Sequence, residues 1–262
     1  MSAAKRGMLI FLAVIFFFAV MSAGIIFTIS SSLEYNNVKT ELTPVINNLL
    51  GTTLGLGNTL DSFYVLMNTY CQTNSQYVFN YANYSITFPC SVISQGKDAV
   101  LNYGAGELIK NFYYQSYDCK FFDCFNKGGL PLFLISDHTR IYLMNKFYIL
   151  LAVIFVLLIL MFLSTEKKAN LLILTGALTI VASLPLLKLN TFSFLFPKQL
   201  NQIIDIFFST SPGVFAKMII AGGVLLILGI VFRIFGIAEK ISERFSKERK
   251  EESKKSKTPK GK

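Results

Sequence analysis

Long apolar runs divide this chain before any other feature does. The first, residues 7–32, opens GMLIFLAVIFFFAVMSAGIIFTI, and the second, 147–165, reads FYILLAVIFVLLILMFLST. The third, 169–187, is ANLLILTGALTIVASLPLL, and the fourth, 213–237, is centred on MIIAGGVLLILGIVF. A helix needs about 20 apolar residues to cross the hydrocarbon core of a bilayer. The first three runs have that length as they stand. The fourth is charge-free only from 218 to 232, but Lys217 and Arg233 can snorkel from its opposite ends, and PGVFA and IFGIA extend it. The pattern predicts a mainly α-helical membrane protein with four transmembrane helices.

Between the first two runs, residues 33–146 follow a shorter rhythm that predicts a small mixed α/β domain. In TPVINNLL, Thr43 is placed to cap a helix and Pro44 to open it, with Val45, Leu49, Leu50 and Leu54 on one face. The glycines of GTTLGLGNTL then interrupt that helix. QYVFNYANYSITF alternates at Tyr77, Phe79 and Tyr81 and again at Ile86 and Phe88, which predicts one or two strands ended by Pro89. A helical stripe follows at Val100, Tyr103, Leu108, Phe112 and Tyr113, weakened by Gly104 and Gly106. LPLFLISDHTRIYLMNKF predicts a short strand, then Ser136 or Asp137 capping a helix that continues into the second span. Farther on, residues 188–212 hold an amphipathic helix of Leu200, Ile203, Ile204, Phe207 and Phe208, suited to the headgroup plane or to packing on protein.

Charge supplies the orientation. With 53% apolar residues and a mean hydropathy of +0.51, the net charge of +10 needs a reading other than nucleic-acid binding. Residues 1–6, 166–168 and 233–262 together hold 15 Lys and Arg against 6 acids, whereas 33–146 holds 7 against 8. That is the positive-inside distribution, with both termini and the 166–168 turn cytoplasmic and 33–146 outside. The tail, 238–262, begins as a helical continuation and ends in a Lys-, Ser- and Pro-containing segment without core-forming residues. The basic start and apolar run could serve as a cleaved signal peptide, but the run continues through GIIFTI, too long for such a segment, so an uncleaved anchor is the expectation; Lys5, Arg6 and Gly7 also resemble a prepilin-type leader over those few residues.

Candidate chemistry is concentrated in the outer segment. All four cysteines, Cys71, Cys90, Cys119 and Cys124, lie there, and an even number on the oxidising side predicts two disulfides. Nearest-neighbour pairing, Cys71–Cys90 and Cys119–Cys124, closes the shortest loops, and the other two connectivities stay open. The C-x4-C spacing with a lone histidine, His138, does not suit zinc, and no cofactor is expected. In layout the chain resembles the quinone-linked disulfide oxidoreductases, though it has no C-x-x-C pair. Asn83-Tyr84-Ser85 is a glycosylation sequon.

Small and hydroxyl residues mark the spans. Thr175, Thr179 and Ser183 recur at helical spacing on the third, and Gly222, Gly223 and Gly229 lie on the fourth, all read as helix-packing positions. Ionisable groups are missing from the span interiors, which argues against proton-coupled transport and intramembrane proteolysis. The expectation is a non-enzymatic protein of the cell membrane with a structural, assembly or partner-binding role exercised through its outer domain. Tyr113, Tyr114, Phe121 and Phe122 are the candidate contacts for a membrane or surface protein. An oligomeric pore made of copies of this chain and a thiol–disulfide oxidoreductase are the alternatives.

Overall fold

The computed structural model describes residues 3–48, 57–81, 84–116, 133–165, 168–187 and 205–255. These are mostly helical, with one antiparallel strand pair. In chain order they form α1 (Ala3–Ser32), α2 (Tyr35–Asn48), α3 (Gly57–Tyr70), β1 (Gln76–Tyr81), β2 (Tyr84–Pro89), α4 (Cys90–Ile93) and α5 (Lys97–Tyr113). A 3-10 turn (Phe133–Ile135), α6 (Asp137–Ser164), α7 (Lys168–Ser183) and α8 (Ser211–Lys255) complete the order. Among the described residues, four helical segments are long and apolar enough to cross a membrane: Lys5–Ser32, Asp137–Ser164, Lys168–Leu187 and Asp205–Phe235. This makes the chain an integral membrane protein by length and composition. Cys119, Cys124, Phe121, Phe122 and Asn83 lie outside the described residues, as do Leu49, Leu50, Leu54, Leu200, Ile203 and Ile204.

By contacts the chain divides into two compact units. The first contains Met1–Gly24, Leu150–Leu186 and Gly213–Lys262. Leu12, Phe16 and Val20, one stripe of α1 at four-residue spacing, pack with Leu157 and Met161 of α6 and with Leu171 and Ala182 of α7. The remaining faces of α6 stay apolar and exposed, as at Phe155 and Leu163. α7 meets α8 through glycine. A Cβ added to Gly176 would stand 2.7 Å from the Gly222 carbonyl oxygen and 2.7 Å from the Leu226 nitrogen, so the two backbones touch. Gly229 repeats the contact two turns on, 2.7 Å from the Ile173 nitrogen.

Gly223 corrects the expectation for this helix. A Cβ there would meet nothing within 4 Å, because one residue on from Gly222 is a rotation of about 100° away from α7. Thr175, Thr179 and Ser183 are buried, and their hydroxyls bond back to the carbonyls of Leu171, Thr175 and Ile180. A hydroxyl satisfied by its own helix presents only its methyl or methylene to a neighbour, which lets α7 pack as an apolar surface.

The second unit, Ile25–Ile149 with Leu187–Pro212, has two cores. In one, Leu33, Val38 and Leu42 meet Ile109 and Tyr113 of α5, Ile135 and Ile206. In the other, Met67, Ile86, Phe88, Ile93 and Val100 pack together. β1 and β2 pair in the register Tyr77↔Phe88 and Phe79↔Ile86, so Tyr77, Phe79, Ile86 and Phe88 share the inward face. Cys71 and Cys90 form a disulfide that closes this core at the end of α3.

Three local expectations are corrected here. Helix α2 starts at Tyr35, with Pro44 inside it rather than at its first position. Val38 and Leu42, one turn apart, are buried against α5 and extend the helix backward, and the Thr43 hydroxyl bonds to the Lys39 carbonyl instead of capping. Residues 133–135 are a 3-10 turn rather than strand, since Ser136 turns back to donate to the Phe133 carbonyl. On α5, Gly104 and Gly106 lie buried on the packing face, where a Cβ would meet Phe88 at 3.2 Å and Lys39 at 3.1 Å. The glycines read as weakening the helix lie where it packs tightly against Phe88 of β2 and Lys39 of α2.

Candidate functional site

The end of α1 is unusual for an apolar helix: FTISSS concentrates hydroxyls where the backbone runs out of helical partners. A helix leaves its last four carbonyls without intrahelical donors. Here the Leu33 and Glu34 amides bond to the Ile29 and Ser31 carbonyls, and side chains from three other segments donate to carbonyls at and beside this end. Asn37 Nδ2 of α2 donates to the Ser31 carbonyl at 2.9 Å. The Tyr113 hydroxyl of α5 donates to the Leu33 carbonyl at 2.7 Å. The Thr210 hydroxyl donates to the Thr28 carbonyl at 3.1 Å. With that proton committed, Ser32 Oγ donates to Thr210 Oγ1 at 2.8 Å and accepts from the Thr210 amide at 3.2 Å. Thr28, Ser30 and Ser32 are all buried.

The start of α6 is tied to the same place. Ser136 Oγ accepts the Thr139 amide at 3.3 Å, the N-cap contact that starts the helix. Thr139 Oγ1 donates to the Phe133 carbonyl, and Ser30 Oγ reaches the Arg140 carbonyl at 3.4 Å. Asp137, in the first turn, lies 3.5 Å from the Tyr113 hydroxyl and 3.5 Å from Arg140 Nη1. The rings of Phe27, one turn from Ser30 on α1, and Phe147, two turns from Arg140 on α6, meet at a tilt with 4.9 Å between centroids. Tyr113 thus joins α5, the α1–α2 break and the first turn of α6 through one hydroxyl.

Desolvation by burial pushes the Tyr113 phenol well above its ordinary value, and the Asp137 charge adds to that while Arg140 opposes it. The Tyr35 phenol is raised by burial, then by Glu107 and Tyr114. The native state holds the Tyr113 proton more tightly than the unfolded chain does. Its contribution to stability is therefore complete below pH about 10 and is lost as pH rises beyond it. Tyr113→Phe should cost about 1–2 kcal/mol, because the Leu33 carbonyl loses its buried donor. Thermal unfolding in mild detergent checks both statements: the gap between wild type and Y113F should be wider at pH about 8 than at pH about 11.

Of the aromatic residues proposed as contacts, Tyr113 is 2% exposed and belongs to the core. Tyr114, one residue on and about 100° around the helix, is 57% exposed. It stands 4.9 Å from the Tyr113 ring and 5.4 Å from Tyr35, a three-ring group with one member at the surface. His138 lies against Phe133, 5.9 Å between rings. Among the described residues no three His, Cys, Asp or Glu side chains converge on a point. Sequence reasoning missed the hydroxyl collar and Gly176. The signal for the collar was present in FTISSS and in Ser209, Thr210 and Ser211, hydroxyl runs beside apolar stretches.

Comparison with protein-family models, with curated proteins and with solved structures returns no match.

Proposed function

We propose that this protein is a non-enzymatic component of the cell membrane. In this reading the disulfide-bearing unit lies outside and makes contact with a membrane or surface protein, and both termini are cytoplasmic. The collar carries the reading. Side-chain hydrogen bonds from α2, α5 and Thr210 tie the end of α1, and through Asp137 the start of α6, into the second unit. Order of this kind inside the unit suits a surface that must present Tyr114 in a fixed direction, since preordered side chains lose less entropy on association. Closure of Gly176, Gly222 and Gly229 by helix contact within the chain supports a packing role for the small residues over a pore lining.

The mass of the protein purified in mild detergent, corrected for bound detergent, tests the proposal. One copy of this chain with a stoichiometric second protein is the expected result, and Tyr114→Ala should weaken that association by about 2 kcal/mol if Tyr114 is an anchor. A closed ring of copies of this chain alone would overturn it in favour of the pore.

A further inference from the structure

Between Phe147 and Leu163, α6 carries no charge, and its exposed residues are distributed around the helix: Ile149, Leu151, Phe155, Val156 and Leu163 are each at least half exposed. A helix that is apolar on all sides needs an apolar surrounding, and among the described residues this one packs on protein along the stripe of Leu157 and Met161. The two ends of the belt share one chemistry. At the start, Lys146 Nζ lies over the Tyr142 ring, 5.3 Å from its centroid. At the finish, Lys168 Nζ lies over the Phe162 ring, 4.5 Å from its centroid. Both lysines are exposed.

Direction makes these pairs informative. Side chains on a helix lean toward its N-terminus. Lys146 accordingly folds back one turn over Tyr142, away from the apolar belt. Lys168 is the first residue of α7 and sits beside the last turn of α6, at the polar end of both. Each ammonium is held at an end of the belt by an aromatic ring, the geometry of a lysine that snorkels to a membrane surface. Residues 147–163 rise about 25 Å, and because the Lys146 ammonium lies one turn farther out, over Tyr142, the two ammonium levels at Tyr142 and Phe162 are about 30 Å apart along the helix, the thickness of a hydrocarbon core.

We propose that Tyr142–Lys146 and Phe162–Lys168 are the headgroup-level anchors of α6, with phospholipid phosphates as the groups that face the two ammonium ions. The ring takes the boundary between chains and headgroups, and the cation takes the anionic layer outside it. The first two turns of α6, from Asp137 to Arg140 and on to Leu143, then stand clear of the hydrocarbon, within the collar. The inference rests on the membrane-spanning part of the proposed function and not on its partner.

The chain contains no tryptophan, so one introduced residue reports depth without background. Tyr142→Trp, Phe162→Trp and Phe155→Trp are each reconstituted into phosphatidylcholine vesicles brominated either near the headgroup or near the chain ends, with Tyr148→Trp as a second boundary probe. Positions 142 and 162 should be quenched more by the shallow bromines, and position 155 more by the deep ones, with a blue-shifted emission. Deep quenching at 142 or 162, or no quenching at 155, overturns the anchors. Carbonate extraction of the same variants separates the two levels: release from the membrane overturns the spanning reading as well, whereas retention with the wrong depth order overturns the anchors alone.

Discussion

Gly176→Leu should destabilise the protein by about 3 kcal/mol, the upper end of the usual cost of overpacking. The reason is the kind of atom that the new side chain would meet. Gly176 faces the Gly222 carbonyl oxygen and the Leu226 nitrogen, which are backbone, and a backbone cannot rotate out of the way as a side chain can. Any Cβ at 2.7 Å forces α7 and α8 apart, and the close contact at Gly229 is lost with it. Gly222→Leu should behave alike, since it meets the Gly176 carbonyl oxygen at 2.9 Å. Gly223→Leu should change stability by less than about 0.5 kcal/mol, because it enters open space. The thermal midpoint in mild detergent measures all three. Equal tolerance of leucine at 176 and 223 would remove the α7–α8 contact from the account.

Loss of the disulfide is the second large effect. Cys71 and Cys90 are 19 residues apart and join the end of α3 to the end of the hairpin. The core they close is small, built on Met67, Ile86, Phe88, Ile93 and Val100. By chain entropy, removing a bridge over a loop of this size costs about 3 kcal/mol. Cys71→Ala with Cys90→Ala should therefore lower the hydrogen-exchange protection of β1 and β2 by about a hundredfold. Amides in the middle of α7 belong to the other unit and should be unaffected. Unchanged protection in the hairpin would mean that the aromatic core suffices without the bridge.

The sequence showed some of this directly, for identifiable reasons. Apolar length is a strong signal because the bilayer core has a fixed thickness, so the four spanning segments could be found by counting. Alternation at Tyr77, Phe79, Ile86 and Phe88 was equally direct, since each strand buries one face. Thr43-Pro44 misled because the pair has the chemistry of a helix start, while the burial of Val38 and Leu42 by α5, a contact distant in sequence, decided where α2 begins. The glycines of α5 misled in the same way: propensity treats Gly104 as a weakness, and only the ring of Phe88, 3.2 Å from where a Cβ would stand, shows that the position is tightly packed. Tyr113 and Tyr114 are chemically alike and adjacent, so composition could not say which one faces in. Gly176 was hidden by its neighbour Thr175, which looked like the more specific packing residue; the approach of the Gly222 backbone, set by tertiary contact, marks the position.

Within the second unit the Tyr113 hydroxyl ties α5 to the Leu33 carbonyl, just past α1, and to Asp137 in the first turn of α6, while Asn37, Thr210 and Ser30 bond separately to Ser31, Thr28 and Arg140. Ile206, 2% exposed, packs into the same core with Phe207 beside it, so this end of the amphipathic stretch rests on protein.

The orientation of the chain is the claim on which the proposed function depends most. A membrane-impermeant maleimide applied to intact cells tests it directly, using Asn111→Cys on the exposed side of α5 and Ser253→Cys in the tail, with the unmodified chain as control. The account predicts labelling at position 111 in intact cells and at position 253 only after the membrane is permeabilised. Labelling at 253 from outside, with 111 protected, would reverse the orientation and contradict a surface role for the disulfide-bearing unit.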